Sequence, residues 1–200
     1  MSETTPAPRP RPFEPVAWPV RTKRLLIRPV TPDDFGRLYE IRAIPEVTQW
    51  LTGRPASYQD YVERYGTPER LTSTLVIELG ATIIGDLFLG VETPYSQVEV
   101  RDRADGSQAA IGWLIDPAYV GQGYATEAAA EMLRICFEDL GLRRVVAGAF
   151  ADNAASLRVM AKIGMRIEGR TVRGSLHRDL GWVDGVEAAV LAEEWRAKPR

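Results

Sequence analysis

Hydrophobic residues follow two alternating spacings beyond residue 20, one typical of strands and one typical of helices. β-Rich runs predict seven strands, at Arg24–Val30, Leu71–Leu79, Thr82–Val91, Ala109–Ile115, Arg143–Phe150, Met165–Val172 and Val183–Leu191. Helical spacing, caps and stop residues predict helices at Pro32–Ile44, Tyr58–Tyr65, Thr126–Leu140 and Asn153–Ile163. The order of these elements is that of a domain of mixed α and β structure.

Residues 1–19 differ from the rest of the chain. They contain six prolines and few groups that a core could bury. This composition predicts an extended, disordered N-terminal tail, for which we expect no function. The folded domain is expected to span residues 20–198.

Composition and charge restrict the class of protein. The 200 residues are 45% hydrophobic and 26% charged, which indicates one soluble domain. A net charge of -2 argues against nucleic acid as the main partner. A single cysteine, Cys136, excludes an internal disulfide, and neither a signal peptide nor a membrane-spanning run is evident. We expect a cytoplasmic protein that neither binds nor crosses a membrane.

The segment Tyr119–Glu127, Y-V-G-Q-G-Y-A-T-E, carries the clearest chemistry. Two glycines, Gly121 and Gly123, stand directly before a predicted helix, where free backbone N–H groups and the helix dipole attract an anion such as phosphate. A plain tight turn is the alternative interpretation. A Rossmann loop is disfavoured, because Thr126 stands where its third glycine would be. A Walker A loop is excluded, because Gly123 is followed by Tyr124 and not by Lys.

Several motifs together resemble the GNAT N-acetyltransferases. Val120–Ala125 resembles their coenzyme loop at Gly123 and Ala125 and departs from it at the first position. D-N-A-A-S at residues 152–156 and the helix after it resemble a second motif, and G-Y-A-T-E-A with the C-terminal W-x-D-G and E-E-W resembles the RimJ/RimL branch. The resemblance implies a mixed, mostly antiparallel sheet of about seven strands flanked by about four helices.

The resemblance also implies acetyl-CoA as co-substrate and assigns residues to it. Backbone groups at the glycine-rich segment would hold the pyrophosphate, and the strand before it with the later Asn-x-x-Ser helix would hold the pantetheine. Gln122 lies either beside phosphate or in a solvated turn, and we expect Tyr124 to pack the loop. The residues implied are Trp113, Leu114, Ile115, Val120, Gly121, Gln122, Gly123, Tyr124, Ala125, Thr126, Asn153 and Ser156.

The implied reaction is direct attack of an amine on the thioester, without a metal or a covalent enzyme intermediate. Cys136 lies on the apolar face of its helix and is expected in the core. Many relatives protonate the leaving thiolate with a Tyr where this chain has Met160, so the resemblance transfers that role to Ser156.

The sequence leaves the identity of the general base open. Positions at which relatives carry an acidic residue hold Ala110 and Gly174-Ser175 here. A water chain is one alternative. The other candidates are His177, the one histidine of the chain, and Glu92, Glu99, Asp102 and Asp179.

Two functions remain open. The first is an acetyl-CoA-dependent N-acetyltransferase acting on a primary amine, either a peptide N-terminus or a small molecule attracted by the acidic loop Glu92–Ser107. The second is a catalytically degenerate GNAT domain that binds acyl-CoA as a sensor or scaffold. A homodimer is compatible with both.

Overall fold

The computed structural model describes residues 13–197, which form one eight-stranded sheet with helices on its faces. The strands are β1 Val20–Arg21, β2 Leu25–Pro29, β3 Thr74–Leu79, β4 Thr82–Glu92, β5 Gln108–Ile115, β6 Arg144–Phe150, β7 Arg166–His177 and β8 Gly181–Leu191. The helices are α1 Phe35–Ala43, α2 Pro45–Thr48, α3 Tyr58–Tyr65, α4 Pro68–Leu71, α5 Arg101–Ala104, α6 Tyr124–Arg134, α7 Ala154–Lys162 and α8 Ala192–Arg196.

The strand order in the sheet is β1-β2-β3-β4-β5-β6-β8-β7, and every neighbouring pair is antiparallel except β5 with β6. This confirms the predicted mixed, mostly antiparallel fold. All seven predicted strands are present. The additional strand, β1, has only two residues, too few to produce a periodic hydrophobic pattern.

The two faces of the sheet are covered differently. One face packs against α6 and α7 in the main core, which includes Leu87, Ile111 and Met132. The other face carries a smaller core in which β3 packs against α1 and α3, through residues such as Val76 and Tyr61. All described residues of this second core lie between Val30 and Ile83 in the chain, so it belongs to the N-terminal half of the sheet.

A buried ion pair joins α1 to the sheet beside the second core. Nη2 of Arg42 donates to both carboxylate oxygens of Asp86 on β4, at 2.8 and 2.7 Å. The guanidinium lies 4.7 Å from the centre of the Tyr65 ring. Burial alone would lower the pKa of Arg42, but Asp86, Tyr65 and Tyr61 together raise this pKa, so the guanidinium stays charged.

The predicted tail boundary at residue 19 is wrong for the part that the structure describes. Phe13 and Val16 are buried in the main core, and the Trp18 indole donates to the Phe13 carbonyl at 3.0 Å. Prolines in this stretch suggested extended chain, but the apolar residues between them can still be buried. Residues 1–12 and 198–200 of the predicted tail and domain lie outside the described residues.

Other element boundaries shift for local reasons. The predicted strand at Leu71–Leu79 begins at Thr74, because Thr67 caps the short helix α4 by accepting from the Arg70 N–H. The best predicted helix, Thr126–Leu140, begins at Tyr124 and continues beyond α6 as a π-helical turn, Ile135–Asp139. The predicted loop Glu92–Ser107 contains α5.

Candidate active site

The sheet opens between its two parallel strands. β5 and β6 are paired only from Gln108 to Ala110 on one strand and from Arg144 to Val146 on the other. Beyond that point β5 still pairs with β4 as far as Ile115, and β6 still pairs with β8 as far as Phe150. We call the unpaired stretch, residues 111–115 and 147–150, the β5–β6 opening.

Backbone groups of β5 face this opening. The Asp116 N–H donates to the Ile84 carbonyl at 2.8 Å, so it points toward β4. Because backbone groups alternate in direction along a strand, the N–H and C=O groups of Trp113 and Ile115 point the other way. The β5–β6 opening therefore offers hydrogen bonds of the kind that an added strand would make. Leu114, between them, buries its side chain.

The opening leads directly to the glycine loop, residues 120–123. Gly121 and Gly123 have φ angles of 80° and 84°, a left-handed conformation that favours glycine. Gly123 is the N-cap of α6, and the first bond within the helix runs from the Glu127 N–H to the Gly123 carbonyl. The N–H groups of residues 124–126 therefore have no acceptor within the helix and lie at its positive end.

The side chains of this segment divide between solvent and core. Val120 and Gln122 are exposed, whereas Tyr124 is buried in the main core. The Tyr124 hydroxyl donates to Oε1 of Gln122 at 3.3 Å. Tyr124 thus packs the loop as expected from the sequence. Ala125 and Thr126 are half-buried in the first turn.

A pair that sequence reasoning missed, Arg24 and Glu127, holds the glycine loop. Nε of Arg24 donates to Oε2 of Glu127 at 2.6 Å, and Nη1 donates to the Gln122 carbonyl at 2.9 Å. The guanidinium also lies over the Tyr124 ring, 4.4 Å from its centre. One arginine therefore connects the start of β2, the loop and the first turn of α6.

Glu127 is held from several directions. Its Oε1 accepts from the Thr22 hydroxyl at 2.6 Å and from the Arg24 N–H at 2.9 Å. Burial alone would raise the pKa of Glu127, but these hydrogen bonds and the Arg24 charge outweigh it and lower this pKa. The carboxylate therefore stays ionised at neutral pH and holds the guanidinium in place.

Because the sequence resemblance implies acetyl-CoA at this loop, replacing Glu127 by glutamine should raise the KM for acetyl-CoA about 10-fold while changing kcat little. The change removes a charge-assisted bond that shapes the loop. Steady-state kinetics with varied acetyl-CoA measure this. Glu131→Gln is the matched control, since Glu131 pairs with Arg134 on the same helix away from the loop. Equal KM values for Glu127→Gln and wild type would show that the Arg24–Glu127 pair does not contribute to coenzyme binding.

Asn153 and Ser156 lie where β6 turns into α7, next to the same opening. Asn153 is the N-cap of α7, and its Oδ1 accepts from the backbone N–H of Ser156 at 3.1 Å. The cap therefore uses only the backbone of Ser156. The half-buried Ser156 hydroxyl is not needed for it.

His177 lies near the opening with both ring nitrogens engaged. Nε2 lies 2.7 Å from the Gln49 carbonyl, and Nδ1 accepts from the N–H groups of Asp179 and Leu180 at 3.1 and 3.2 Å. The ring is buried. Protonating Nδ1 would remove two accepted hydrogen bonds, so this arrangement does not favour the predicted role of His177 as general base. It favours a structural role.

The other predicted base candidates are dispersed. Glu92 pairs in register with Gln108, at the closed end of the β5–β6 pair, and Asp179 lies in the turn between β7 and β8. Glu99 and Asp102 are exposed in the segment before β5. None of these four residues is a register partner of a residue in the opening.

Cys136 is fully buried, as predicted. Burial raises the pKa of its thiol to about 12, so the thiol stays protonated at neutral pH. Among residues 13–197, no cluster of three or more His, Cys, Asp or Glu side chains could hold a metal ion. Within the same range, every helix is too short or too polar to cross a membrane.

Comparison with known proteins assigns a family. The family model described as "Acetyltransferase (GNAT) domain" matches residues 24–166. A relative from Bacillus subtilis, the uncharacterized N-acetyltransferase YnaD, is 29% identical over 179 residues, which cover 88% of this chain and 98% of the relative.

Two solved structures share the fold. A GNAT-family acetyltransferase from Bacillus anthracis has a TM-score of 0.74 and 26% identity, covering 88% of this chain and 99% of its own. RimJ from Mycobacterium smegmatis, solved in complex with CoA-disulfide, has a TM-score of 0.68 and 26% identity, covering 85% and 83%.

Proposed function

The chain belongs to the GNAT acetyltransferase family and is an N-acetyltransferase, and we propose that it transfers the acetyl group of acetyl-CoA directly to a primary amine at the β5–β6 opening. One observation carries this proposal. The opening in the sheet leads into a glycine loop at the positive end of α6.

The shape and polarity of this region suit coenzyme A. The pyrophosphate would lie against the backbone N–H groups from Gly121 to Thr126, where no side chain of Gly121 or Gly123 obstructs it. The pantetheine arm would take strand-like hydrogen bonds from Trp113 and Ile115. The Ile115 N–H, which faces the opening, is suited to polarise the thioester oxygen.

Ser156 is the acid in this proposal. It lies in the first turn of α7, where the thiol end of a pantetheine in the opening would arrive. Its hydroxyl donates a proton to the departing thiolate, while Asn153 keeps the turn in place through the backbone. Because Cys136 is buried and protonated, no protein nucleophile takes part.

The proposed placement is in the RimJ/RimL branch, supported by the likeness to RimJ at 26% identity and by the sequence motifs described above. The acceptor is either a peptide N-terminus or a small-molecule amine.

Thiol release tests the proposal. Purified protein is incubated with acetyl-CoA and a panel of amino acids, polyamines, arylalkylamines and N-terminal peptides. We expect thermal stabilisation by acetyl-CoA and thiol release that depends on one class of amine. If acetyl-CoA stabilises the protein but no amine causes thiol release, the result would support the sensor alternative. That alternative is motivated by the lack of acidic side chains at Ala110 and Gly174-Ser175. The absence of any stabilisation would contradict both.

Replacing Ser156 by alanine should lower kcat about 100-fold with little change in the KM for acetyl-CoA, because general acid catalysis is lost while the backbone cap remains. The pH dependence of kcat and the unfolding temperature are measured together. Ser73→Ala is the control, because Ser73 is a half-buried serine before β3, outside the proposed coenzyme site, and its hydroxyl donates to the Glu69 carbonyl at 2.7 Å. Unchanged kcat in Ser156→Ala would assign proton donation to another group.

A further inference from the structure

Glu187 lies on β8, one strand away from the β5–β6 opening, and its side chain projects from the face of the sheet opposite α6. Its register partner on β6 is Gly148, which lies two residues beyond Val146, the last residue paired with β5. Ala188 and Val190 on the same strand are buried in the main core under α6. Because side chains alternate along a strand, Glu187 projects from the other face, which the second core does not reach.

The carboxylate of Glu187 is accessible and weakly engaged. Its side chain is 62% exposed, and the nearest cation is Nη2 of Arg144 at 3.8 Å, beyond hydrogen-bond distance. Arg144 donates instead to Gln108 at 2.6 Å and to Glu168. The remaining charged neighbour on this face of β7, Arg166, pairs with Glu168.

Gly148 is the residue of the opening that lies next to Glu187. A side chain on Gly148 would separate Glu187 from the opening, but this position is exposed, and an added Cβ would meet no atom closer than the Val186 carbonyl at 3.8 Å. The lack of a side chain at Gly148 leaves room for a substrate group between Glu187 and the thioester position.

Three aromatic rings lie next to this space, those of Trp50, Phe150 and His177, and we call them the aromatic wall. Phe150 follows Gly148 by two residues on the same face of β6, roughly 7 Å along the strand. Its ring lies 6.0 Å from the Trp50 ring and 5.2 Å from the His177 ring. The backbone bonds of His177 fix this wall, which offers an apolar surface to an acceptor.

We propose, on the basis of the proposed function, that Glu187 takes the proton of the acceptor ammonium and that the acceptor is a primary amine carrying an apolar group against Trp50 and Phe150. Proton transfer to Glu187 leaves a neutral amine, whose lone pair forms the C–N bond as the C–S bond breaks. The nitrogen then releases its second proton to solvent, and Ser156 protonates the departing thiolate and regains a proton from solvent. Glu187 returns its proton to solvent.

Two amines of different basicity test the proposal. Benzylamine is protonated at neutral pH and needs a base, whereas aniline is already neutral. We expect Glu187→Gln to lower kcat/KM about 100-fold with benzylamine but only about threefold with aniline. With benzylamine, the rate of Glu187→Gln should rise about tenfold per pH unit as the free amine accumulates. Glu193→Gln, a change at an exposed position of α8, is the matched control.

Three results would overturn the proposal in distinguishable ways. Equal losses with both amines would make Glu187 structural. A wild-type enzyme that acetylates other amines but not benzylamine would refute the proposed apolar contact with Trp50 and Phe150 but not the proposed function. Failure of the wild type to bind acetyl-CoA would remove the proposed function itself, together with this assignment.

Discussion

Replacing Gly123 by valine should weaken acetyl-CoA binding at least about 100-fold. Residue 123 has a φ of 84°, which a β-branched residue adopts only with strain, and relaxing it would move the loop N–H groups. An added Cβ would lie 3.5 Å from Nη2 of Arg24, an ordinary contact, so the expected loss arises from the backbone conformation. Isothermal titration with acetyl-CoA measures the effect.

Gly80→Val is the control for backbone strain alone. Gly80 has a comparable φ of 63° and no atom within 4 Å of an added Cβ, but it lies in the turn between β3 and β4. This variant should lose stability and keep its affinity for acetyl-CoA. Near-wild-type affinity in a folded Gly123→Val protein would rule out the glycine loop as the pyrophosphate site.

Replacing Asp86 by asparagine should lower the free energy of unfolding by ~3–5 kcal/mol, because the buried Arg42 would lose its counterion. For a domain of this size, this corresponds to a fall in Tm of about 10 °C. Denaturant titration followed by circular dichroism gives the free energy, and a thermal scan gives Tm.

Asp60→Asn is the matched control, because Asp60 pairs with Arg64 on the surface of α3, where solvent screens both charges and losing the pair should change stability little. The double variant Arg42→Met with Asp86→Leu should regain much of the lost stability, since it leaves no buried charge unpaired. A loss below about 1 kcal/mol in Asp86→Asn would show that the pair is not held in a buried setting.

Local patterns predicted the fold well because helices and strands are built from neighbouring residues. The cap at Ser57 that predicts a helix at Tyr58–Tyr65, for example, acts on the next few residues, and the helix has those bounds. Elements with few residues carry no such signal. β1 and the burial of Phe13 depend on the sheet and core that they join.

The candidate site could be predicted only in part. The glycine loop and the cap at Asn153 are local motifs, but Arg24 and Glu127 are 103 positions apart and meet only in the folded chain. His177 was a candidate because of its residue type, and its occupied nitrogens become visible only in the structure. Glu187 had a signal that the sequence reasoning did not use, a single acid in the apolar run V-E-A-A-V-L.

Mass spectrometry of a single turnover tests the central claim most directly. Excess protein is mixed with acetyl-CoA labelled in the acetyl group and with the amine panel, then quenched. Direct transfer predicts that the label moves to an amine as an N-acetyl product while CoA appears in equal amount and the protein stays unmodified. Label on Cys136, or bound acetyl-CoA that persists with every amine, would contradict direct N-acetyl transfer by this chain.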